Sequence, residues 1–403
     1  MTSAGVRPFE GVKILDFTQV FAGPFGSYQL SLFGADVIKV EKPGGEDLRF
    51  APPSPEWAER GAAPMWACVN ANKRNLALDL KNPDAIAIVK RLAATSDVVM
   101  ENFRPGVMER LGIGYAALAE VNPKLIYCAV SGFGHNGPEC GTAAYDGKIQ
   151  AMSGVMSLTG HAEMGPTRAG FAVADAIGGM TAAFAVASAL YQRTHTGKGQ
   201  FVDVAMLDAA LTFLSPAVAE YTLAGHKQGQ MGNQAVSRRP TANLFRVKDG
   251  YLLLAVNNDR QYDALLKGLD LEALRDDARF QTWDDRIANE RELRAAIEAA
   301  LASDDARTWE RRLSEVGAPC ASIWTIDEIV AHPQLEHRDV LQTIDSRFGP
   351  LTLVGPGFTL AHGGGRVDLE PPAPGADNDG VLAEAGFSPE EISAFKSSGA
   401  AVD

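Results

Sequence analysis

The chain has 403 residues, 46% of them hydrophobic and 22% charged, and these proportions are typical of a folded globular protein rather than a disordered or fibrous one. At about 150 residues per domain, this length predicts two or three domains. Acidic residues outnumber lysines and arginines by 50 to 37, and the net charge of −13 repels polyanions. We therefore expect no nucleic-acid partner, whereas a small anion needs only a local basic pocket.

The first half of the chain alternates short apolar runs with helical segments. Residues 12–18 (VKILDFT) and 36–42 (DVIKVEK) predict two strands, and the segment between them contains Gly23 and Gly26. A helix over about 83–94 follows, and then come the predicted strands DVVMENF and LIYCAVSGFG. Strands that alternate with helices form a mostly parallel sheet covered on both faces. The predicted fold class is therefore α/β.

The second half opens with a long apolar segment at about 171–191. Its glycines and alanines keep its hydrophobicity low, so we predict a buried helix and no membrane partner. A polar stretch over 225–240 predicts a linker, and Asp249-Gly250 between two β-rich runs predicts a hairpin. A helical stripe then contains Trp283, Ile287, Leu293, Ile297 and Leu301, and a second one contains Trp309, Leu313 and Val316.

These patterns predict four segments along the chain. A large domain with a mostly parallel sheet covers 1–205, and a linker helix and loop cover 206–240. A smaller α+β domain covers 241–326. The remainder, 327–403, is predicted to return to the large domain.

Cysteine, histidine and glycine patterns argue against several kinds of site. The four cysteines have neither zinc-site nor disulfide spacing, and the opening residues contain no apolar export signal, so we expect reduced thiols and a cytoplasmic location. His332 and His337 are poorly spaced for helical metal ligands, and we expect no metal. The loop after the first strand lacks the GxGxxG fingerprint, and TGKGQ (196–200) lacks the setting of a phosphate loop, so we predict a helix-ending turn there.

A single carboxylate, Asp175, draws attention at the predicted start of the long apolar helix, because serine-hydrolase and cysteine-nucleophile patterns are absent. An ordinary N-cap aspartate would account for its position. Gly178 and Gly179 follow it, and each glycine costs a helix interior roughly 1 kcal/mol relative to alanine. We therefore expect another backbone or a ligand to approach the helix closely there.

Several motifs in the same order resemble those of the family III CoA-transferases, which include formyl-CoA transferase and the carnitine and bile-acid CoA-transferases. The resemblance extends over almost the whole chain and is carried by LDFTQVFAGP, FGADVIKVEKPGG, NKRNLALDLK, ENFRPGVMERLG, YDGKIQAMSGVMSLTG, DAIGG and TGKGQFVDVAMLDA. It implies a Rossmann-like large domain that binds CoA, a smaller domain, and an interlocked homodimer. The catalytic aspartate of the family falls on Asp175. The CoA-contacting positions fall on Gln19, Val20, Ala22, Lys42, Leu78, Lys81, Asn102, Phe103, Arg110, Leu111 and Tyr145.

The resemblance also implies a reaction, in which CoA moves from an acyl-CoA to a free carboxylic acid, with small carboxylates and dicarboxylates as candidate acids. CoA is then a substrate, and no permanent cofactor is expected. With its reference pKa of about 3.9, Asp175 would be ionised at neutral pH and would attack the thioester without a general base. The successive intermediates would be an aspartyl mixed anhydride and an aspartyl-CoA thioester. Backbone N–H groups near Gly178 and Gly179, or in a loop that faces them, are candidate oxyanion donors.

Two alternatives and one departure from the family pattern accompany this hypothesis. An α-methylacyl-CoA racemase would share the fold, but such racemases have a histidine where this chain has Tyr145, a poor proton acceptor at neutral pH. A non-catalytic CoA- or nucleotide-binding protein would keep the basic positions and would not require Asp175. The run of four glycines that covers the active site of formyl-CoA transferase is absent between the linker and the hairpin. What shields the site here is left open by the sequence.

Overall fold

The computed structural model describes residues 5–402, which form two compact units. The first unit contains the described residues up to Val155, then Arg168–His226, and the chain from Pro333 onward. The second unit contains Met156–Thr167 and Lys227–His332. The domain boundaries predicted from the sequence stay predictions.

Strands and helices alternate through the first half of the chain. The strands are β1 (Lys13–Asp16), β2 (Asp36–Glu41), β3 (Lys73–Ala77), β4 (Val98–Glu101), β5 (Ile126–Ser131), β6 (Gln200–Ala205), β7 (Ala242–Val247), β8 (Gly250–Ala255), β9 (Cys320–Ser322), β10 (Leu341–Ser346) and β11 (Gly349–Val354). The helices are α1 (Ala22–Leu32), α2 (Pro55–Glu59), α3 (Pro64–Ala67), α4 (Pro83–Ala93), α5 (Val107–Arg110), α6 (Tyr115–Val121), α7 (Asp146–Ser153), α8 (Val155–Leu158), α9 (Val173–Thr196), α10 (Met206–Phe213), α11 (Ser215–Ala224), α12 (Asp259–Gly268), α13 (Trp283–Ala288), α14 (Glu290–Leu301), α15 (Ala306–Glu315), α16 (Ile326–Ile329), α17 (Pro333–His337), α18 (Asn378–Glu384) and α19 (Pro389–Ser397).

A six-stranded parallel sheet organises the first unit, in the order β3-β2-β1-β4-β5-β6. The predicted α/β class is therefore confirmed. This is the strand order of the doubly wound dinucleotide-binding sheet, in which the direction of winding reverses between the first and fourth strands. Ligands of such sheets bind outside the carboxyl ends of the strands at that reversal. The fold thus points to the loops that follow β1 and β4.

The central strands of this sheet are buried on both faces, which explains why β1, β2, β4 and β5 are largely apolar in the sequence. Successive residues of a strand point to opposite faces. Leu15 and Val99 accordingly belong to one core cluster, which α4, α18 and α19 help to form. Ile14 and Val98 belong to a second cluster on the other face, which includes α1 and α9. The site at the carboxyl ends of the strands therefore rests on a rigid layer.

The two glycines of α9 serve close packing against other helices. A Cβ placed on Gly179 would clash with the carbonyl oxygen of Ala22 in α1, and one placed on Gly26 would lie 2.8 Å from the carbonyl oxygen of Gly179. A Cβ on Gly178 would lie 3.0 Å from Cγ of Met206 in α10. The expected close approach to this helix is therefore made by the backbone of α1 and the side chain of Met206.

Helix α9 is long and apolar enough to span a membrane by length and composition, the single helix of this kind in residues 5–402. Ala182 and Val186 on one side are fully buried in the second core cluster. On the other side, Phe184 is 75% exposed and Tyr191 is 69% exposed. Within a single chain, the prediction of a buried helix is thus correct for one face of α9, and the other face is exposed.

The second unit is built on the predicted hairpin. Strands β7 and β8 pair antiparallel from Ala242↔Ala255 to Val247↔Gly250, so the turn falls on Lys248 and Asp249, and β9 joins β8. Most of the predicted helical stripe is buried in one core, namely Leu293, Ile297 and Leu301 together with Trp309 and Leu313. Ile287 is an exception: the predicted stripe is divided between α13, which ends at Ala288, and α14, which begins at Glu290, and the Ile287 side chain in α13 is exposed.

Candidate functional site

A cavity of about 200 Å³ lies where the fold points, at the carboxyl ends of β1, β4 and β5 in the first unit. It is lined by Gln19, Val20, Phe21, Ala22, Asn102, Phe103, Arg104, Pro105, Val130, Ser131, Thr142, Ala143, Ala144, Tyr145, Asp175 and Met206. Residues from distant parts of the sequence meet there because parallel strands end at the same edge of the sheet.

One wall of the cavity is the loop that leads from β1 into α1. The side chain of Asn102, which follows β4, holds this loop by hydrogen bonding to both the N–H and the carbonyl oxygen of Gln19. Its Nδ2 donates to the carbonyl oxygen of Gln19 at 2.7 Å, and its Oδ1 accepts from the N–H of Gln19 at 2.7 Å. Asn102 therefore both lines the cavity and fixes the neighbouring wall.

Asp175 lines the same cavity, but it is the third residue of α9 rather than its N-cap. Helix α9 begins at Val173, and Ala172 precedes it. The ordinary capping role that the sequence suggested is therefore wrong. A carboxylate from another helix does the capping instead.

That carboxylate belongs to Asp146, the first residue of α7. Its Oδ1 accepts from the N–H groups of Ala174, at 2.9 Å, and Asp175, at 3.4 Å, two of the donors that a helix start leaves unpaired. Its Oδ2 accepts from Gln150 Nε2 at 2.7 Å and from Arg168 Nη2 at 3.2 Å. Asp146 thus fixes the first turn of α9, on which Asp175 stands, and it was not a predicted site residue.

Burial, and after it the negative charge of Asp146, raise the pKa of Asp175 from 3.8 to about 7. The expectation that Asp175 is fully ionised at neutral pH is therefore corrected, since near pH 7 the protonated and ionised forms coexist. A carboxylate that is partly desolvated in this way is held by fewer waters and is a stronger nucleophile than one in bulk solvent. Perturbed carboxylates in a cleft are typical of reactive sites.

The structure brings together seven of the residues that were predicted as site residues. These are Gln19, Val20, Ala22, Asn102, Phe103, Tyr145 and Asp175. Arg104, next to Phe103, was missed, although it stands in the quoted motif ENFRPG and supplies a cation to the cavity wall.

The other five predicted residues lie outside the lining of this cavity. Lys42 is paired with Asp47 at 2.5 Å, and the side chain of Leu78 is buried in the core. Lys81 and Arg110 are exposed, and Leu111 packs against the first core cluster. Their contacts with CoA stay predictions.

Gly178 and Gly179 are the sixth and seventh residues of α9, beyond the first turn whose N–H groups are free, so they are not available as oxyanion donors. The glycine-rich string after α9 forms the predicted helix-ending turn, with Gly197 in the left-handed conformation after Thr196.

Residues 9–378 match the model of CoA-transferase family III. Succinyl-CoA:glutarate CoA-transferase of Mus musculus is 35% identical over 354 residues, which cover 87% of this chain and 80% of that protein. Acetyl-CoA:oxalate CoA-transferase of Acetobacter aceti is 38% identical over 336 residues, with 83% and 85% covered. The crystal structure of a CaiB/BaiF family protein from Brucella suis superposes with a TM-score of 0.84 at 32% identity, covering 94% of this chain and 99% of that one. The protein therefore belongs to CoA-transferase family III.

Proposed function

We propose that this CoA-transferase uses Asp175 as the nucleophile that accepts CoA from the donor acyl group and passes it to the acceptor acid. CoA transfer between an acyl-CoA and a carboxylate is the activity named for its relatives. The observation that carries the proposal is the position of Asp175, on the wall of the cavity at the point where the winding of the sheet reverses. A carboxylate nucleophile forms a covalent intermediate without needing a paired histidine.

The proposed reaction has four steps, in which Asp175 forms a mixed anhydride, a CoA thioester and a second mixed anhydride before it is regenerated. The Asp175 carboxylate attacks the thioester carbonyl of the donor, the C–S bond breaks, and CoA leaves as a thiolate from an aspartyl mixed anhydride. The thiolate then attacks the Asp175 carbonyl carbon, which releases the donor acid and leaves an aspartyl-CoA thioester. The acceptor carboxylate then attacks the carbonyl carbon of this thioester, which releases the CoA thiolate and forms a second mixed anhydride. The thiolate attacks the acceptor's carbonyl carbon, which yields the new acyl-CoA and regenerates the Asp175 carboxylate. These acyl intermediates hydrolyse readily, so the site must limit access of water.

The substrates that we propose are a succinyl-CoA-like donor and a dicarboxylic acid acceptor. Relatives carry the names succinate–glutarate CoA-transferase in Agrobacterium fabrum and succinyl-CoA–D-citramalate CoA-transferase in Chloroflexus aurantiacus. For the phosphates of CoA we propose the exposed cations Lys42, Lys81 and Arg110, because guanidinium and ammonium groups bind phosphate through charge-assisted hydrogen bonds. Arg104 supplies a further cation directly at the cavity.

We also propose that the protein is an interlocked homodimer located in the cytoplasm. Large apolar side chains stand exposed along three consecutive helices of the first unit, and contiguous apolar surface of this kind is typical of a protein interface. They are Met180, Phe184 and Tyr191 in α9, Leu211 and Phe213 in α10, and Val218, Tyr221 and Leu223 in α11. Light scattering that gave the mass of a single chain would overturn the dimer.

The proposed nucleophile is tested by trapping the acyl-enzyme. The protein is incubated with succinyl-CoA, treated with hydroxylamine and digested, and the peptides are examined by mass spectrometry. We expect a hydroxamate on Asp175 that appears only when the acyl-CoA is present. Modification of a different residue, or of none, would refute the proposal. Exchange of deuterium into an α-methylacyl-CoA without an adduct would favour the racemase alternative.

Asp146→Asn should make the enzyme relatively more active below neutral pH. The nucleophile is the ionised form, so the rate should rise with pH through the pKa of Asp175, which burial and then Asp146 raise to about 7. Removing the Asp146 charge lowers that pKa, and the midpoint of the rise should move to lower pH by about one pH unit. The pH dependence of kcat/KM, which reports the ionisable groups of the free enzyme, measures this. Asp97→Asn, a change outside the cavity lining, should leave the midpoint in place, and an upward or absent shift in Asp146→Asn would contradict the prediction.

A further inference from the structure

We infer that the buried pair Lys39 and Glu46 positions the cavity wall for CoA transfer, by holding residues 18–20 in a conformation that they would not adopt alone. Neither residue lines the cavity, so they act through the loop and not on substrate. The inference rests on the activity proposed above, and it concerns residues that were not among the predicted site residues, although Lys39 stands in the motif FGADVIKVEKPGG.

The loop needs to be held because Val20 is in a left-handed backbone conformation, with φ of 65°. A β-branched residue there is an outlier, and such a conformation costs on the order of 1–3 kcal/mol unless the surroundings impose it. Val20 lies between Gln19 and Phe21 on the cavity wall that also faces Asp175. The strained residue is therefore part of the proposed binding surface.

Two side chains impose this conformation, namely Lys39 in β2 and Glu46, which follows β2. The N–H of Val20 donates to Glu46 Oε2 at 2.9 Å. Lys39 Nζ donates to the carbonyl oxygen of Thr18 at 2.8 Å. Together with the two hydrogen bonds between Asn102 and the backbone of Gln19, these contacts fix the backbone of three consecutive residues.

The pair is itself rigidly placed. The Lys39 side chain is 0% exposed and that of Glu46 is 5% exposed, and Lys39 Nζ lies 2.9 Å from Glu46 Oε1. The indole Nε1 of Trp66, a fully buried residue, donates to the same Oε1 at 2.7 Å. Each oxygen of the Glu46 carboxylate therefore has a separate task, since Oε1 anchors the group in the core and Oε2 holds Val20.

Two more buried ion pairs adjoin this one, Asp16 with Lys73 at 3.0 Å and Glu41 with Arg49 at 2.5 Å. The three acidic and three basic groups balance, so none remains as an unpaired buried charge. Buried ion pairs often contribute little net stability relative to apolar residues of the same volume. Stability alone is thus a weak reason for Lys39 and Glu46 to be charged, whereas a charged group forms a stronger hydrogen bond to a backbone N–H or carbonyl than a neutral group does.

The test compares two substitutions on the same carboxylate. In Glu46→Gln only one oxygen remains as an acceptor, where the carboxylate uses two. The hydrogen bond to the N–H of Val20 should therefore be lost, and kcat should fall about 100-fold, as expected when a mutation misplaces reacting groups by about 1 Å. Trp66→Phe removes the donor on Oε1 and leaves the contact with Val20. It should lower the melting temperature and leave kcat within about twofold of the parent. A loss of kcat in Trp66→Phe equal to that in Glu46→Gln would mean a merely structural role and overturn the inference.

A second measurement uses the strain at position 20. Glycine adopts positive φ without cost, so in a Val20→Gly background the loop needs less holding. We expect Glu46→Gln to lower kcat about 100-fold with Val20 but about 10-fold or less with glycine there. Equal losses in both backgrounds would refute the inference. Should Glu46→Gln fail to fold, Glu46→Asp, which keeps the charge and withdraws it from the Val20 N–H, takes its place in the same comparison.

These results are separable from a failure of the proposed nucleophile. The comparison of Glu46→Gln with Val20 and with glycine at position 20 uses rates of CoA transfer among variants that all retain Asp175. Trapping on Asp175 is measured in the parent enzyme. An absent adduct in the parent would refute the nucleophile and leave the comparison of loop variants intact.

Discussion

Asp175→Asn should abolish CoA transfer, with kcat reduced by about 10³-fold or more, the scale of loss seen when a covalent nucleophile is removed. Asparagine has almost the same shape, but its amide does not form a mixed anhydride with a thioester. Transfer from succinyl-CoA to glutarate, followed by chromatography of the acyl-CoA products, measures the effect. Exchange at a near-parental rate would eliminate Asp175 as the nucleophile.

The same variant should be more stable than the parent above neutral pH, which distinguishes loss of chemistry from loss of fold. Burial and Asp146 raise the pKa of Asp175 from 3.8 to about 7, so ionised Asp175 disfavours the folded state as the pH rises through that interval. A shift of this size corresponds to roughly 4 kcal/mol, and partial access of solvent lowers the expected gain in unfolding free energy to about 2 kcal/mol. Below pH 3.8 Asp175 of the parent is protonated in both the folded and the unfolded protein, so the substitution is expected to give no gain. Denaturant unfolding at several pH values measures this, and a variant less stable than the parent at high pH would contradict it.

Gly179→Ala should destabilise the first unit by about 3 kcal/mol, near the upper end of the range for overpacked cores. The added Cβ would clash with the carbonyl oxygen of Ala22 and lie 3.2 Å from the backbone nitrogen of Gly26. The Phe25 ring, whose Cδ1 lies 3.0 Å from the added Cβ, can rotate away, but the backbone atoms of Ala22 and Gly26 move only with α1, so α1 and α9 must separate. Because Ala22 lines the cavity and α9 carries Asp175, activity should fall together with the melting temperature.

Gly380→Ala is the matched control for this substitution. Gly380 also lies inside a helix of the first unit, α18, and a Cβ there would meet no atom within 4 Å. Alanine should therefore stabilise the protein by about 0.5–1 kcal/mol through its higher helix propensity. Equal effects of the two substitutions on thermal unfolding would show that packing between α1 and α9 is not the reason for the glycine.

The sequence predicted the fold class because each signal it used is local. Strands of a sheet that is buried on both faces are short apolar runs, and β1, β2, β4 and β5 were found in this way. The hairpin of the second unit was predicted from its turn residues and its β-rich flanks. The family motifs also led to Asp175 and to the loops after β1 and β4, because those loops are continuous stretches of chain.

The positions that the sequence did not predict depend on contacts between distant segments. No local pattern relates Asp146 to Ala174 in the first turn of α9, which lies 28 residues further along the chain, and the capping role was therefore assigned to Asp175. Likewise, Glu46 and Val20 are separated by 26 residues, and their hydrogen bond exists only after β1 and β2 pair. The exposed face of α9 was missed because hydrophobicity indicates that a side chain avoids water, and not which surface covers it.

The sequence by itself thus determined the parallel sheet, the hairpin unit and the identity of the carboxylate at the start of the long helix. Only the tertiary structure decided how that carboxylate is charged, which residue caps its helix and what holds the strained loop beside it. The physical reason is that propensity and periodicity act over a few neighbouring residues, whereas desolvation, charge repulsion and backbone contact between helices depend on distances that folding alone establishes.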